Sequence, residues 1–323
     1  MLSFLCILFW LISISGCMQV EQPNNHTAHD LLYVGKGQSE YQTIQQAIDA
    51  AQNNATIYIR SGSYSEVLTI NTSVSLIGDD WNTTCIRYPS DSNSTQNSII
   101  TINADYCRID NLQIQQDNIA TLTHGISIAA NKCTIANTTI SGCENGIELS
   151  TFSTLNTIVH NTIRNNSIGI FVSGSRQNTI SNNTLFFNAN YSLYLYTGSD
   201  TNTIAYNLIN TSDIGMKIYG SESNIFHSNC IEHNRLGVYC CCGGRNNYFY
   251  SNSFVNNSQK NAEDNEYNIW YHAITSTGNY WSDYNGSDMN NDGIGDTAYM
   301  ISDPENFDSY PLMVPLVNVD CNH

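Results

Sequence analysis

Basic residues are scarce: 11 Lys+Arg stand against 28 Asp+Glu, for a formal charge of −17. So acidic a chain repels phosphate backbones and anionic lipid surfaces, which argues against nucleic acid and membrane surfaces as partners. It also disfavours polyanionic sugars unless a cation bridges the two. Long apolar runs are lacking as well. The one run, Leu2 to Ile14, is too short to span a bilayer and suits the apolar core of a signal peptide. The membrane is therefore reachable only through an N-terminal anchor. Beyond an N-terminal cap, no line of the sequence carries a ten-residue helical pattern, which excludes helical repeats.

What is present instead is a period. Gly146-Ile147, Gly169-Ile170, Ser192-Leu193, Gly215-Met216 and Gly237-Val238 open lines about 23 residues long. Within each line come two Asn-x-apolar triplets. Asn156, Asn178, Asn202, Asn224 and Asn247 begin the first; Asn161, Asn183, Asn207, Asn229 and Asn252 begin the second. Each line holds three short β-type stretches. The pattern predicts an all-β, right-handed parallel β-helix solenoid with three strands per turn, an N-terminal capping helix and a C-terminal closing segment. The apolar positions stack into a dry interior. The asparagines stack as amide ladders and carry no chemistry.

The rest of the chain is organised around that spiral. Residues 1–17 read as a signal segment ending in Ser15-Gly16-Cys17, a lipobox in which Cys17 is the lipidated residue. Residues 18–30 form a polar tether. Residues 31–80 supply the cap and first turn, with an amphipathic helix over 43–52 that Thr43 and Gln46 start as a capping box. The β-helix proper occupies 81–277, with Cys107 and Cys133 replacing Asn at a turn position. The period is expected to break over 265–277, and 278–323 to form the C-terminal cap. Asn-x-Ser/Thr acceptors, among them Asn25, Asn54, Asn71, Asn82, Asn137, Asn182, Asn210 and Asn285, suit glycosylation in an exported chain.

Three constellations are candidates for chemistry. Asp288, Asn290, Asp292 and Asp296 place oxygen ligands at alternate positions around Gly293, a pattern that suits Ca²⁺, with Asp283 or Asp303 completing the shell. The alternative is a metal-free Asx turn. Cys240, Cys241 and Cys242 are soft ligands for Cu(I) or Zn, with Cys240 in register with the interior and His227, Cys230 and His233 on the strand before. The alternative is buried thiols or a disulfide. Tyr194, Tyr196, Tyr219 and Tyr239 stand on an outward face, with Tyr194 and Tyr239 sharing a column with Glu148 and Lys217, and offer a sugar-stacking surface. They equally suit strands for packing alone. Asp110, Glu144, Glu148 and Asp213 lie on the repeats without forming a recurring carboxylate pair of the kind glycosidases need. The motif sets of polygalacturonase-like and alginate-epimerase-like enzymes are absent.

The repeats Asn156-Thr-Ile-x-x-Asn161-Thr-Ile and Asn178-Thr-Ile-x-x-Asn183-Thr-Leu precede three further motifs. These are Gly278-Asn-Tyr-Trp-Ser-Asp-Tyr284, Asp292-Gly-Ile-Gly-Asp-Thr-Ala-Tyr299 and Tyr310-Pro-Leu-Met313. Over about Leu31 to Met313 the chain resembles the NosD-like family of β-helix proteins with carbohydrate-binding/sugar-hydrolase (CASH) repeats. That resemblance implies a periplasmic or surface location and, for bacterial members, copper delivery to nitrous-oxide reductase. The acidic, sequon-rich composition looks more like an archaeal surface protein. Three functions follow as expectations. The first is a non-catalytic, lipid-anchored module that binds a glycan or other envelope component. The second is a copper-binding protein in metalloenzyme maturation. The third is a polysaccharide lyase or hydrolase.

Overall fold

The structure, a computed structural model, describes residues 30–37, 39–89, 96–117, 123–302 and 306–315. The signal segment, Cys17 and nearly all of the tether lie outside the described residues.

The alternation of apolar and polar side chains, reset every few residues by Asn, Gly or Ser, folds the chain into three parallel sheets. Each turn contributes a strand to each sheet. Sheet one has ten strands, from Leu31–Val34 to Tyr248–Tyr250. Sheet two has nine, from Leu68–Ile70 to Lys260–Asp264, and sheet three has ten, from Gly62–Ser65 to Tyr280–Trp281. The fold is the expected parallel β-helix.

The register stacks like on like. Ile135, Ile158, Ile180, Ile204, Phe226 and Phe249 form one interior column on sheet one. Ile140, Ile163, Leu185, Ile209, Ile231 and Phe254 form the matching column on sheet three. Towards the C-terminal end aliphatic groups give way to stacked rings. Phe226 and Phe249 lie 4.5 Å apart, Phe249 and Trp270 4.2 Å, and Phe254 and Trp281 4.3 Å. Their planes are within 14° of parallel.

The corners explain the asparagines. Each of Asn156, Asn178, Asn202, Asn224 and Asn247 follows a residue with positive φ, from Leu155 at 59° to Asn246 at 57°. A side chain held there costs of order 1 kcal/mol. The ladder offsets that cost. In Asn202, Oδ1 accepts the Asn178 backbone N–H at 2.9 Å and its Nδ2 at 3.1 Å, while Nδ2 donates to Ser175 O at 3.0 Å and Asn224 Oδ1 at 3.1 Å. The second ladder repeats these bonds from Asn161 to Asn252. A third ladder, Asn166 to Asn188 and Asn234 to Asn257, marks the remaining corner and is interrupted by Ser212.

The period breaks over 265–277 as expected, with no strand between Asp264 and Tyr280, yet the amide ladders continue across the break. Asn268 continues the first ladder from Asn247, and Asn279 continues the second from Asn252. The excess residues loop out between these two corners. The first and second ladders each end on a buried carboxylate that also holds a tryptophan. Asp264 accepts from Asn268 Nδ2 at 2.8 Å and Trp270 Nε1 at 2.9 Å. Asp308 accepts from the Asn279 N–H at 2.6 Å and Trp281 Nε1 at 2.9 Å.

At the other end the helix spans Ile44–Ala50, shorter than expected, and covers the open core with Ile44, Ala47 and Ile48. Thr43 accepts from the Gln46 N–H at 3.3 Å. The reciprocal half of the cap is supplied from elsewhere. Glu66 accepts the Ile44 and Gln45 N–H groups at 3.0 and 3.1 Å, placing negative charge at the helix start.

Candidate functional site

Sheet two carries the aromatic face. Its outward column runs Glu148, Phe171, Tyr194, Lys217, Tyr239 and Glu263. Two residues further along the strands a second column runs Ser173, Tyr196, Tyr219 and Cys241. The register therefore brings together two residue sets that look unrelated in sequence, the tyrosines and the cysteine run. Tyr196 and Tyr219 stack at 5.3 Å, and Tyr194 lies 5.3 Å from Phe171 and 5.0 Å from Tyr191. Lys217 Nζ sits 5.0 Å from the Tyr191 ring centre and 5.1 Å from that of Tyr194, a cation held over π faces. Burial, and next the neighbouring Tyr191, raise Tyr194 well above the usual phenol range.

The three consecutive cysteines separate by strand alternation and by the turn. Cys240 is fully buried, in register with Ile218 and Asp264, and burial raises its thiol well above the usual range. Cys241 faces outward at the end of the tyrosine column. Cys242 turns away at φ 60° and is the exposed free thiol among the described residues. Cys241 and Cys242 are in hydrogen-bonding contact; burial first, and then that contact, push Cys241 up to about 11. Beyond them lies a polar groove of about 700 Å³ along the corner, lined by Arg176, Gly198, Asp200, Gly220 and Glu222 among others. Its charges are paired in rungs, Arg176 with Asp200 at 3.3 Å and Arg245 with Glu222 at 3.1 Å.

Other expected ligands are not gathered here. His227 is on sheet one and Cys230 on sheet three, so neither joins the cysteine run, and His233 follows Cys230 at the next corner. Cys230 is disulfide-bonded. His227 stacks on Tyr250 at 5.4 Å, and burial lowers its basicity. Of the carboxylates on the repeats, Asp110 pairs with Arg108 and Asp213 with Arg235, and Glu148 lies 3.2 Å from His124 Nε2.

In the acidic loop, Asp288 accepts the Asp292 and Gly293 N–H groups at 3.2 and 2.9 Å, Asn290 accepts Asp292 N–H at 3.2 Å, and Asp292 accepts Ile294 N–H at 2.9 Å. Asp296 accepts the Met289 N–H at 2.9 Å. Asp283 is taken by the Tyr299 hydroxyl at 3.0 Å, and Asp303 lies outside the described residues. These hydrogen bonds form Asx turns. Among the described residues, no three His, Cys, Asp or Glu side chains converge to hold a metal ion.

The architecture defines a parallel β-helix protein. A search of solved structures agrees. Pectate lyase Pel9A superposes with a TM-score of 0.59 at 12% identity, covering 91% of this chain and 90% of that one. An alginate lyase from Paenibacillus sp. superposes at 0.56 and 14% identity, covering 71% of this chain and 94% of that one. At such identities the likeness is one of fold. The family model described as "Periplasmic copper-binding protein (NosD)" matches residues 80–286. The chain belongs to the NosD family. Curated relatives named "Probable ABC transporter binding protein NosD" are 37% identical over 95 residues in Stutzerimonas stutzeri and 34% identical over 96 in Pseudomonas aeruginosa. Each match covers 29% of this chain and 21% of the relative.

Proposed function

We propose that this chain is an exported β-helix that carries Cu(I) in transit, with the Cys241–Cys242 pair as the point of attachment. The observation that carries the reading is that thiol pair, one member on the tyrosine face and the other exposed, in a chain whose family is described as periplasmic and copper-binding. Cu(I) is a soft ion that prefers thiolate, so two adjacent sulfurs fit it where oxygen ligands do not. Binding displaces the thiol protons, which makes affinity climb with pH. A two-thiolate site open on one side suits handing the ion on better than storing it. The disulfide at Cys230 supports export, because such bonds persist in oxidising compartments. Anchoring through Cys17 belongs to the same proposal.

Anaerobic titration with Cu(I) against a coloured competing chelator tests this. One equivalent should be held by the unaltered chain and lost in Cys241→Ser/Cys242→Ser. Unchanged uptake in that variant would sink the reading.

A second reading rests on the aromatic row itself. Phe171, Tyr194, Tyr196 and Tyr219, on three successive coils, form a ringed strip that a neutral glycan would stack upon. A glycan array probed with the chain and with Tyr196→Ala/Tyr219→Ala separates it from copper carriage. Binding that survives the double change counts against it.

A further inference from the structure

Cys107 and Cys133 occupy the two corner positions that precede Asn156 in the first ladder. The Cys133 N–H donates to Asn156 Oδ1 at 2.8 Å, as a ladder residue's does. The residues that follow them, Arg108 and Thr134, are register partners on sheet one. Neighbouring parallel strands lie roughly 4.8 Å apart, inside the range of about 4.4 to 6.8 Å between α-carbons that a disulfide spans. Both side chains point the same way. Cys107 Sγ and Cys133 Sγ donate to one carbonyl oxygen, Ala104 O, at 3.2 and 3.4 Å. Each residue is 1% exposed. Cysteine supplies no amide, so the rung that joins successive coils elsewhere in this ladder is missing here.

We propose that Cys107 and Cys133 form a disulfide between successive coils when the chain folds in an oxidising compartment, a covalent rung in place of the missing amide pair. Either thiol starts the exchange, Cys107 for instance. Its thiolate attacks a small-molecule or protein disulfide, forming a mixed disulfide and expelling one thiolate. The Cys133 thiolate then attacks the Cys107 sulfur and expels the second. The two protein protons pass to the two leaving thiolates, and the external disulfide takes up the electrons. The exchange precedes closure of the coil, since the finished fold buries both sulfurs.

The proposal assumes export, and the test separates the two. The reduced full chain is refolded in a glutathione redox buffer, its free thiols are alkylated under denaturing conditions, and its peptides are mapped by mass spectrometry. A cross-linked Cys107–Cys133 peptide, with Cys143 and Cys240 alkylated, is expected. Alkylation of both Cys107 and Cys133 while Cys230 is oxidised would overturn the proposal. The same map on chain recovered from cells tests export through Cys230 alone. Cys107→Asn/Cys133→Asn should extend the amide ladder. Reductant should then lower the thermal midpoint of the unaltered chain by roughly 5 to 10 °C more than that of the variant. Equal shifts would also overturn it.

Discussion

Removing one ladder amide should cost far more than an ordinary surface substitution. Asn207 sits mid-ladder and is fully buried. Its Oδ1 accepts the Asn183 N–H and Nδ2, both at 3.0 Å; its Nδ2 donates to Ile180 O at 2.9 Å and Asn229 Oδ1 at 3.0 Å. In Asn207→Ala all four bonds vanish. The Asn183 N–H and the Ile180 carbonyl are left buried without these partners, at about 1 to 3 kcal/mol each. The preceding Tyr206, held at φ 58°, loses the bonds that offset its conformation. The sum is roughly 3 to 7 kcal/mol. Urea unfolding followed by far-UV circular dichroism would measure it. A solenoid can open locally, so hydrogen exchange should be read as well, with protection lost first at Asn183 and its strand neighbours. Asn190→Ala, which removes an exposed amide bonded to Ser167 Oγ, serves as the control and should cost no more than about 1 kcal/mol. If Asn207→Ala proves as mild as that control, the ladders do not clamp the corners.

The C-terminal carboxylates give the fold an unusual response to acid. Burial raises Asp308 to about 6, whereas unfolded it titrates near the ordinary value of about 3.9. The folded state therefore holds the extra proton between those values. Stability from this group is complete below about pH 4 and is lost as pH rises through 6, by about 3 kcal/mol in all. Urea midpoints at pH 5 and 7.5 should differ less in Asp308→Asn than in the unaltered chain; equal slopes would refute the assignment. Phe249→Ala empties a layer between Phe226 and Trp270 and should cost about 3 to 5 kcal/mol by thermal unfolding. At pH 7, iodoacetamide should label exposed Cys242 well before Cys241, whose thiol is pushed up to about 11, with peptide mass spectrometry reporting the order. Equal labelling rates would mean that Cys241 is not shielded.

The linear order of residues was enough to declare the spiral. Ile158, Ile180 and Ile204 recur at spacings of 22 and 24 residues and share one column, because a parallel strand pairs with its own repeat. Asn156 to Asn247 follow the same rule, and so does the outward column that unites Glu148, Tyr194, Lys217 and Tyr239. Asn268 and Asn279 continue the same ladders, but inserted residues displace them from that spacing, and only the fold reveals them. Three-dimensional packing decided what no spacing encodes. Asp264 and Asp308 come from different distances along the chain to close adjacent ladders, and Glu66 crosses over to cap a helix whose first residue lies 22 positions before it. Cys241 meets Tyr219, while Cys240, one residue away, faces the core. A repeat dictates contacts between equivalent positions one coil apart; contacts between unlike positions depend on how far each insertion reaches, and only the folded chain sets that distance.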